Sequence, residues 1–494
     1  MVVPRSTTGI ALLALAIVVV NVAAENEPIE QPECDASKTV SIRYSSTSKR
    51  MYLEAAESGE RGGCVTLSQI FEARAGKAPL YAVDPDSGSR VEKATGTWLL
   101  TESLYVEDGI TLNVHGGDDG DADELRLLSD EDQFINLRAH GGSLSFRDTK
   151  VFSWDEAAGT YDENYDDGRS YISVISEVIT DPDQDCDGRA KKDMGEARMD
   201  IVNSEIGYLG NYDSESYGLT WKVRGFCTDK SNEEVFDEVN VYGNMYDSDI
   251  HHNYFGLYTY GHQQGDWRRN KMHDNIQYGF DPHDDSDLLN IHDNEVYGNG
   301  NHGIIASKRC NDVSIQNNEV YDGDNAGLFL HRSSDDAIVK GNYVHDNGDA
   351  GLAMLESFRA DVSDNVFENN NYGIRLSVGC ADNRFCNFLT SLGAWYNFYT
   401  YGGSDTPDVV ESGRSQNNVF AENEVSGGEE TIKLKESDGT VFRDNDFTDA
   451  MTIRFDDATE MLMVGNTGLD DATLKVANGA CFDEDSDDGF EPIC

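Results

Sequence analysis

Cations are scarce in this 494-residue chain: 38 Lys and Arg stand against 92 Asp and Glu, a formal net charge of −54 at pH 7. That deficit argues against nucleic acid as a partner, because binding it requires clustered cations. Proline is rare too, at 9 residues, while Gly numbers 47, a balance that suits short strands and tight turns. Only one long apolar run occurs, "GIALLALAIVVV" (9–20), after Arg5 and before the small residues "NVAA" (21–24). It is short for a bilayer span, so residues 1–24 are expected to be a cleaved export signal and the mature protein to be soluble, secreted and without a membrane partner. CxxC and HExxH spacings are missing. The nine cysteines are therefore read as disulfide partners in an oxidising compartment and not as metal ligands. Expected pairs are Cys34–Cys64, Cys186–Cys227, Cys380–Cys386 and Cys481–Cys494, with Cys310 left over, although connectivity stays open at this level.

What is present is a period. Glycines fall at Gly256, Gly279, Gly303, Gly327, Gly351 and Gly373, and asparagines keep the same beat at Asn270, Asn294, Asn318, Asn342 and Asn365. A repeat of about 22–24 residues is the mark of a solenoid. After each glycine apolar residues alternate, which means strand, and no repeat holds a helix-length amphipathic run. The fold class is therefore all-β, a parallel β-helix whose coils each carry three short strands. Phe280, Ile304, Leu328, Leu352 and Ile374 are expected inside, followed two places on by Ala306, Leu330, Met354 and Leu376. Asn and Gly are expected at turn corners because both tolerate left-handed backbone, with the asparagines stacked as a ladder. "TLSQIFEARAG" (66–76) reads as a capping helix with a Thr66–Gln69 capping box, and "HGGDDGDADE" (115–124) as a solvent loop. The expected division is a capping region over 25–90, the β-helix over 91–480 and an acidic tail over 481–494.

One stretch raises a chemical question. "NIQYGFDPHDDSD" (275–287) holds a tyrosine, a histidine and four aspartates within ten positions. With the residues at +1 and +3 from each glycine inside, Asp281 and His283 face out, followed on later coils by Ile305 and Ser307, then Phe329 and His331. Lys308 and Arg332 lie just past their strands, and Tyr278 and His302 just before their glycines. A patch of His, Tyr and cations on a strongly negative protein suits an anionic polymer laid across the coils, since the groove must attract what the global field repels. Lys222 and Arg224 on an earlier coil could extend it. A His–Tyr pair can remove and return a proton, and a cation such as Lys308 can stabilise the enolate-like intermediate formed α to a carboxylate. Reprotonation of that intermediate gives an epimer, and loss of the 4-linked sugar gives a lyase product.

"YGFDPHD" with "HGIIASK" and the 24-residue repeat resembles the mannuronan C5-epimerases of alginate biosynthesis. Further similarity lies in "GTWLLTESLYVEDG", "RDTKVFSWDE", "KDMGEARMDIVNSEIGYLG" and "SYGLTWK", so that it covers roughly residues 90–390 in order. The cysteines and signal segment suit a brown-algal type similar to the periplasmic bacterial members. The resemblance implies a right-handed parallel β-helix, action on alginate or polymannuronate, and catalytic roles for Tyr278, Asp281 and His283. It places the carboxylate-neutralising cation on Lys308, where the family usually has Arg, with Arg309 next door as a substitute. Ser307 stands where modular secreted members have a second catalytic Asp, and GGxGxD calcium modules are absent. The expected site is thus His283, Tyr278, Asp281 and Lys308, with His302, Arg309, Arg332, His331, Lys222 and Arg224 binding substrate. No cofactor is required by this chemistry; stimulation by calcium is compatible with it but does not follow from the acidity. The expected location is the extracellular matrix or cell wall. A uronate lyase on the same fold and a non-catalytic polysaccharide-binding solenoid stand as alternatives, because a fold does not dictate a function. A glycoside hydrolase would need paired carboxylates, and Asp281 has no such partner at Ser307 or Ile305.

Overall fold

A computed structural model describes residues 34–177, 196–224, 239–377 and 414–494, apart from residues 36, 58, 214–215 and 487–490. The signal segment and the Cys186–Cys227 and Cys380–Cys386 pairs lie outside the described residues. Three long sheets of 15, 15 and 13 strands run the length of the solenoid, and successive coils contribute successive strands to each. In the first sheet Phe280–Asp281, Ile304–Ser307, Leu328–His331, Ala350–Leu355 and Tyr372–Ser377 lie side by side. They pair in parallel and in step, Ile304 with Leu328 and Leu328 with Leu352. This is the β-helix that the period implied.

The alternation decides what is inside. Phe280, Ile304, Leu328, Leu352 and Ile374 are fully buried, as are Ala306, Leu330, Met354 and Leu376. They join one apolar core extending from Met51 to Phe482, each large side chain contributing about 1.5–3 kcal/mol of burial. Stacked asparagines run beside it: the Asn270 backbone N–H and Nδ2 both donate to Asn294 Oδ1, and Asn294, Asn318 and Asn342 repeat the pattern on the next coil. A buried amide left without such partners would cost about 1–3 kcal/mol, so the ladder fixes the register between coils.

The expected reason for the repeated residues needs correcting. None of the six phase-marking glycines has positive φ; they lie at close approaches between strands. A Cβ on Gly279 would meet the Gly303 carbonyl oxygen at 2.5 Å, and one on Gly303 would meet that of Gly327 at 2.8 Å. The ladder asparagines are not left-handed either. The residue before each is: Arg269, Asp293, Asn317, Gly341 and Asp364 all have φ between 51° and 65°.

Both ends are closed. Helix Leu67–Ala73 carries the expected capping box between Thr66 and Gln69, and buries Leu67, Ile70 and Phe71, with Phe71 edge-on to Trp98. Coiling begins before residue 91, since Arg50–Ala55 and Gly63–Thr66 already pair in parallel with Ser103–Val106 and Ile110–His115. Cys34 and Cys64 form a disulfide there. At the other end Cys481 is joined to Cys494 and Phe482 is fully buried, so the acidic tail folds back onto the last coil. Cys310 is a free buried thiol. Among the described residues no helix is long and apolar enough to cross a membrane.

Candidate active site

Pro282 shapes the site. Without an N–H it cannot continue the ladder as a donor, so the strand Phe280–Asp281 stops after two residues. The Pro282 carbonyl still accepts from Ser307 N–H at 2.9 Å, and pairing resumes as a bridge between His283 and Ser307. Asp284 and Asp285 are then both left-handed, with φ of 35° and 56°, and so are Lys308–Arg309 and Arg332–Ser333 on the next two coils. Left-handed non-glycine pairs are costly and cluster at functional sites. Here they turn the chain while the ladder continues, Asp284 N–H to Ser307 O at 2.8 Å and Lys308 N–H to His331 O at 2.7 Å. Their side chains are thereby brought back to the ends of the strands.

Asp284 is the hub of that arrangement. Its Oδ2 lies against His283 Nδ1 and its Oδ1 takes a hydrogen bond from Arg309 Nη2 at 3.0 Å, while Lys308 Nζ stands 3.9 Å from Oδ2. Burial works to raise its carboxyl, but His283, Lys308 and Arg309 together hold it well below the usual carboxylate range. An ionised Asp284 fixes the proton of a neutral His283 on Nδ1 and leaves the lone pair on Nε2.

Asp281 is the opposite case. It is 2% exposed, and its Oδ1 is buried with no hydrogen-bond partner. Burial pushes its carboxyl up to about 7, against the pull of His283 and Lys308. Tyr278 is half-buried, edge-on to Phe255 with ring centres 4.9 Å apart, and stacked on His302 at 5.7 Å. Burial, then the Asp281 charge, pushes its phenol up to about 12, so Tyr278 holds its proton at neutral pH. Two carboxyls three residues apart thus differ in state, Asp284 ionised and Asp281 poised near neutrality. Among the described residues no group of three or more His, Cys, Asp or Glu is placed to hold a metal ion.

Comparison with known proteins bears on the fold and on the family it resembles. Residues 240–388 match the family described as the right handed beta helix region. A mannuronan C5-epimerase of Pseudomonas aeruginosa is 30% identical over 254 residues, covering 51% of this chain and 39% of that protein. Mannuronan C5-epimerase AlgG of Azotobacter vinelandii is 27% identical over 252 residues, covering 51% and 41%. Over about half of its length the chain is similar to mannuronan C5-epimerases. It spans about two-fifths of the length of these curated relatives. A crystal structure of the periplasmic alginate epimerase AlgG has the same fold, with a TM-score of 0.58 at 16% identity, covering 97% of this chain and all of that one.

The expected residues do not all stand alike. Tyr278, Asp281, His283 and Lys308 come together. His302 packs on Tyr278 and Phe329, and its Nδ1 accepts the Ala326 N–H at 3.1 Å. Burial, then Arg375, holds it down to about 4. His331 is hydrogen-bonded through Nδ1 to Ser307 Oγ at 2.9 Å, and is held neutral by burial and by Arg332. Lys222 lies over the Tyr260 ring, 5.4 Å from its centre, and is in ladder register with Tyr260. Arg332 sits one coil beyond Lys308, and Arg224 at the end of its strand level with Glu177. Arg309 is only 5% exposed, and beside Asp284 it also binds both Asp285 oxygens at 3.0 Å, so it is held among the carboxylates of the preceding coil's turn.

Asp284 was missed. It looked like one more acid in a polar turn, yet "DD", "KR" and "RS" occupy one phase of three successive repeats, which is the signal that could have found it. Tyr258 was missed as well; it is in register with Asp281 and its ring centre is 5.5 Å from that of His283.

Proposed function

We propose that this protein epimerises β-D-mannuronate residues at C5 to α-L-guluronate within alginate or polymannuronate. The observation that carries the reading is the Asp284–His283 pair set beside Tyr278, a poised Asp281 and Lys308. The uronate carboxylate meets Lys308 Nζ and Asp281, which donates a hydrogen bond in its protonated form; an ionised aspartate there would repel the substrate. With the carboxylate neutralised, the electrons of the C5–H bond can be held as an enolate-like intermediate. His283 Nε2 takes the C5 proton, and the imidazolium is stabilised by Asp284. Tyr278 delivers its proton to the opposite face of C5. Both groups then return to their starting states by exchange with solvent, so no redox cofactor enters the balance. Arg309 is a positioning residue that holds Asp284. His302 keeps Tyr278 in place by stacking.

The export signal read at residues 1–24 and the Cys34–Cys64 and Cys481–Cys494 disulfides support a secreted protein acting in a matrix or cell wall. The reading is tested by incubating the secreted protein with polymannuronate and following the polymer by proton NMR. Guluronate signals at constant polymer length are the expected result. Unsaturated ends with falling length would make it a lyase, and bound polymer without reaction a binding solenoid.

A further inference from the structure

The outward residues of the first sheet form rows across the coils, and the row through Asp281 carries a distinctive cation. Ladder register carries it from Asp281 to Tyr258, Thr220, Ser173 and Arg138. Four steps at about 4.7–4.9 Å each put Arg138 roughly 19 Å from Asp281. Between them Ser173 and Thr220 are small, deeply buried hydroxyl residues, and Thr220 Oγ1 has no hydrogen-bond partner. The neighbouring row holds Tyr260, Lys222, Ile175 and His140.

Arg138 differs from the other arginines of its row. Those are committed to carboxylates: Arg43 to Glu54, Arg375 to Asp349 at 2.6 Å and Arg454 to Glu430 at 2.6 Å. Arg138 instead donates from Nε to Ser173 Oγ at 3.1 Å and from Nη2 to Tyr171 Oη at 3.2 Å, both uncharged. No carboxylate lies within ion-pairing distance of it among the described residues. Tyr105 and Tyr171 flank its guanidinium, Arg50 also lies over Tyr105, and Arg224 adds positive charge nearby. His140, beside it, is held down to about 4 by burial, Arg138 and Arg224, and so is neutral at working pH. A half-buried guanidinium with an anchored orientation, spare N–H groups and no anion is a carboxylate receptor.

We propose that Arg138 is a distal subsite for a uronate carboxylate, and that it sets the minimum length of polymer the enzyme grips. This rests on the polyuronate substrate proposed above. A 1→4-linked pyranose is about as long as one strand spacing, so about one sugar lies over each coil. About five consecutive units then reach from the reacting residue to Arg138. Shorter oligomers that occupy the reaction site leave the guanidinium empty. The asymmetry also sets a direction, with the grip on the N-terminal side of the reacting residue.

The test measures binding of mannuronate oligomers of two to eight units to the His283→Ala protein, and to His283→Ala with Arg138→Gln added, by calorimetry. The expected result is a step of about ten-fold in affinity between four and six units, the worth of one charged hydrogen bond. Arg138→Gln should abolish that step while leaving the affinity for dimers and trimers unchanged. An unchanged step in Arg138→Gln overturns the subsite but leaves the substrate class standing. No binding of any length by His283→Ala, with wild type also inert toward polymannuronate, overturns both. Turnover gives a second readout: Arg138→Gln in the otherwise native enzyme should raise KM for polymer about ten-fold at unchanged kcat. A fall in kcat with equal KM would assign Arg138 a structural role instead.

Discussion

Asp284 grips His283 through Nδ1 while Arg309 grips Asp284 through its other oxygen, so one buried carboxylate orients the imidazole and is itself held from behind. The pair explains why a histidine on the outer face has one nitrogen committed and one available. It also separates two adjacent aspartates into a hub and a support, since Asp285 accepts from Arg309 Nε and Nη2.

Asp284→Asn keeps the shape and removes the charge. It should lower kcat by about a hundred-fold or more with little change in KM, because imidazolium stabilisation is lost only as the proton moves. Steady-state kinetics on polymannuronate decide this. The same substitution should change stability against pH. The depressed Asp284 carboxyl contributes stability that is complete above its unfolded value of about 3.9 and is lost as pH falls below it. Acid unfolding of Asp284→Asn should therefore be shallower over that range, with lower stability at neutral pH.

Asp281 predicts the alkaline limit of activity. Its carboxyl sits near 7 because it is buried, so as pH rises through 7 it ionises and repels the uronate. KM should rise above neutral pH in the wild type, and Asp281→Asn should flatten that limb. The linked stability has the reverse sign to that of Asp284. A carboxyl whose folded value is raised costs stability progressively as pH climbs from about 4 to 7, so Asp281→Asn should melt higher than wild type at pH 8. A lower melting temperature there would contradict the assignment.

His292 gives a test far from the chemistry. It is clasped by Asp266 at 2.9 Å and Asp293 at 2.8 Å, and the Asp266 hydrogen bond raises its pKa. A raised histidine contributes stability below its unfolded value of about 6.5, and loses it as pH rises through the folded one. The melting temperature should decline as pH rises above about 6.5, and His292→Gln should remove part of that slope.

Gly279→Ala should destabilise the protein by about 1–3 kcal/mol, the range for overpacking, because the new Cβ meets the Gly303 carbonyl oxygen, Asn299 Nδ2 and Met272 Cγ between 2.5 and 3.1 Å. Chemical denaturation measures it.

The period made the β-helix and its interior legible, since alternation after each glycine marks Phe280, Ile304 and Leu328 as core without any knowledge of the fold. Tyr278, Asp281 and His283 share one short stretch of one coil, and the period set Lys308 on the next coil beside it. The turn after the strand was less legible. A left-handed pair rotates the side chains of Asp284, Lys308 and Arg309 in ways that strand alternation does not describe, and that is why the ion pairs of Arg309 with Asp284 and Asp285 were not foreseen. Arg138 escaped notice for another reason: its coil joins the row across lengths of 35 and 47 residues, from Arg138 to Ser173 and from Ser173 to Thr220, so no fixed period reveals its register.

The most direct test of the central claim is to convert polymannuronate in D2O and read C5 by NMR, with His283→Ala as control. Two groups on opposite faces predict deuterium at C5 of every new guluronate, protium retained in unreacted mannuronate, and no product from His283→Ala. Guluronate that keeps its C5 protium, or product formation by His283→Ala at the wild-type rate, would contradict the account.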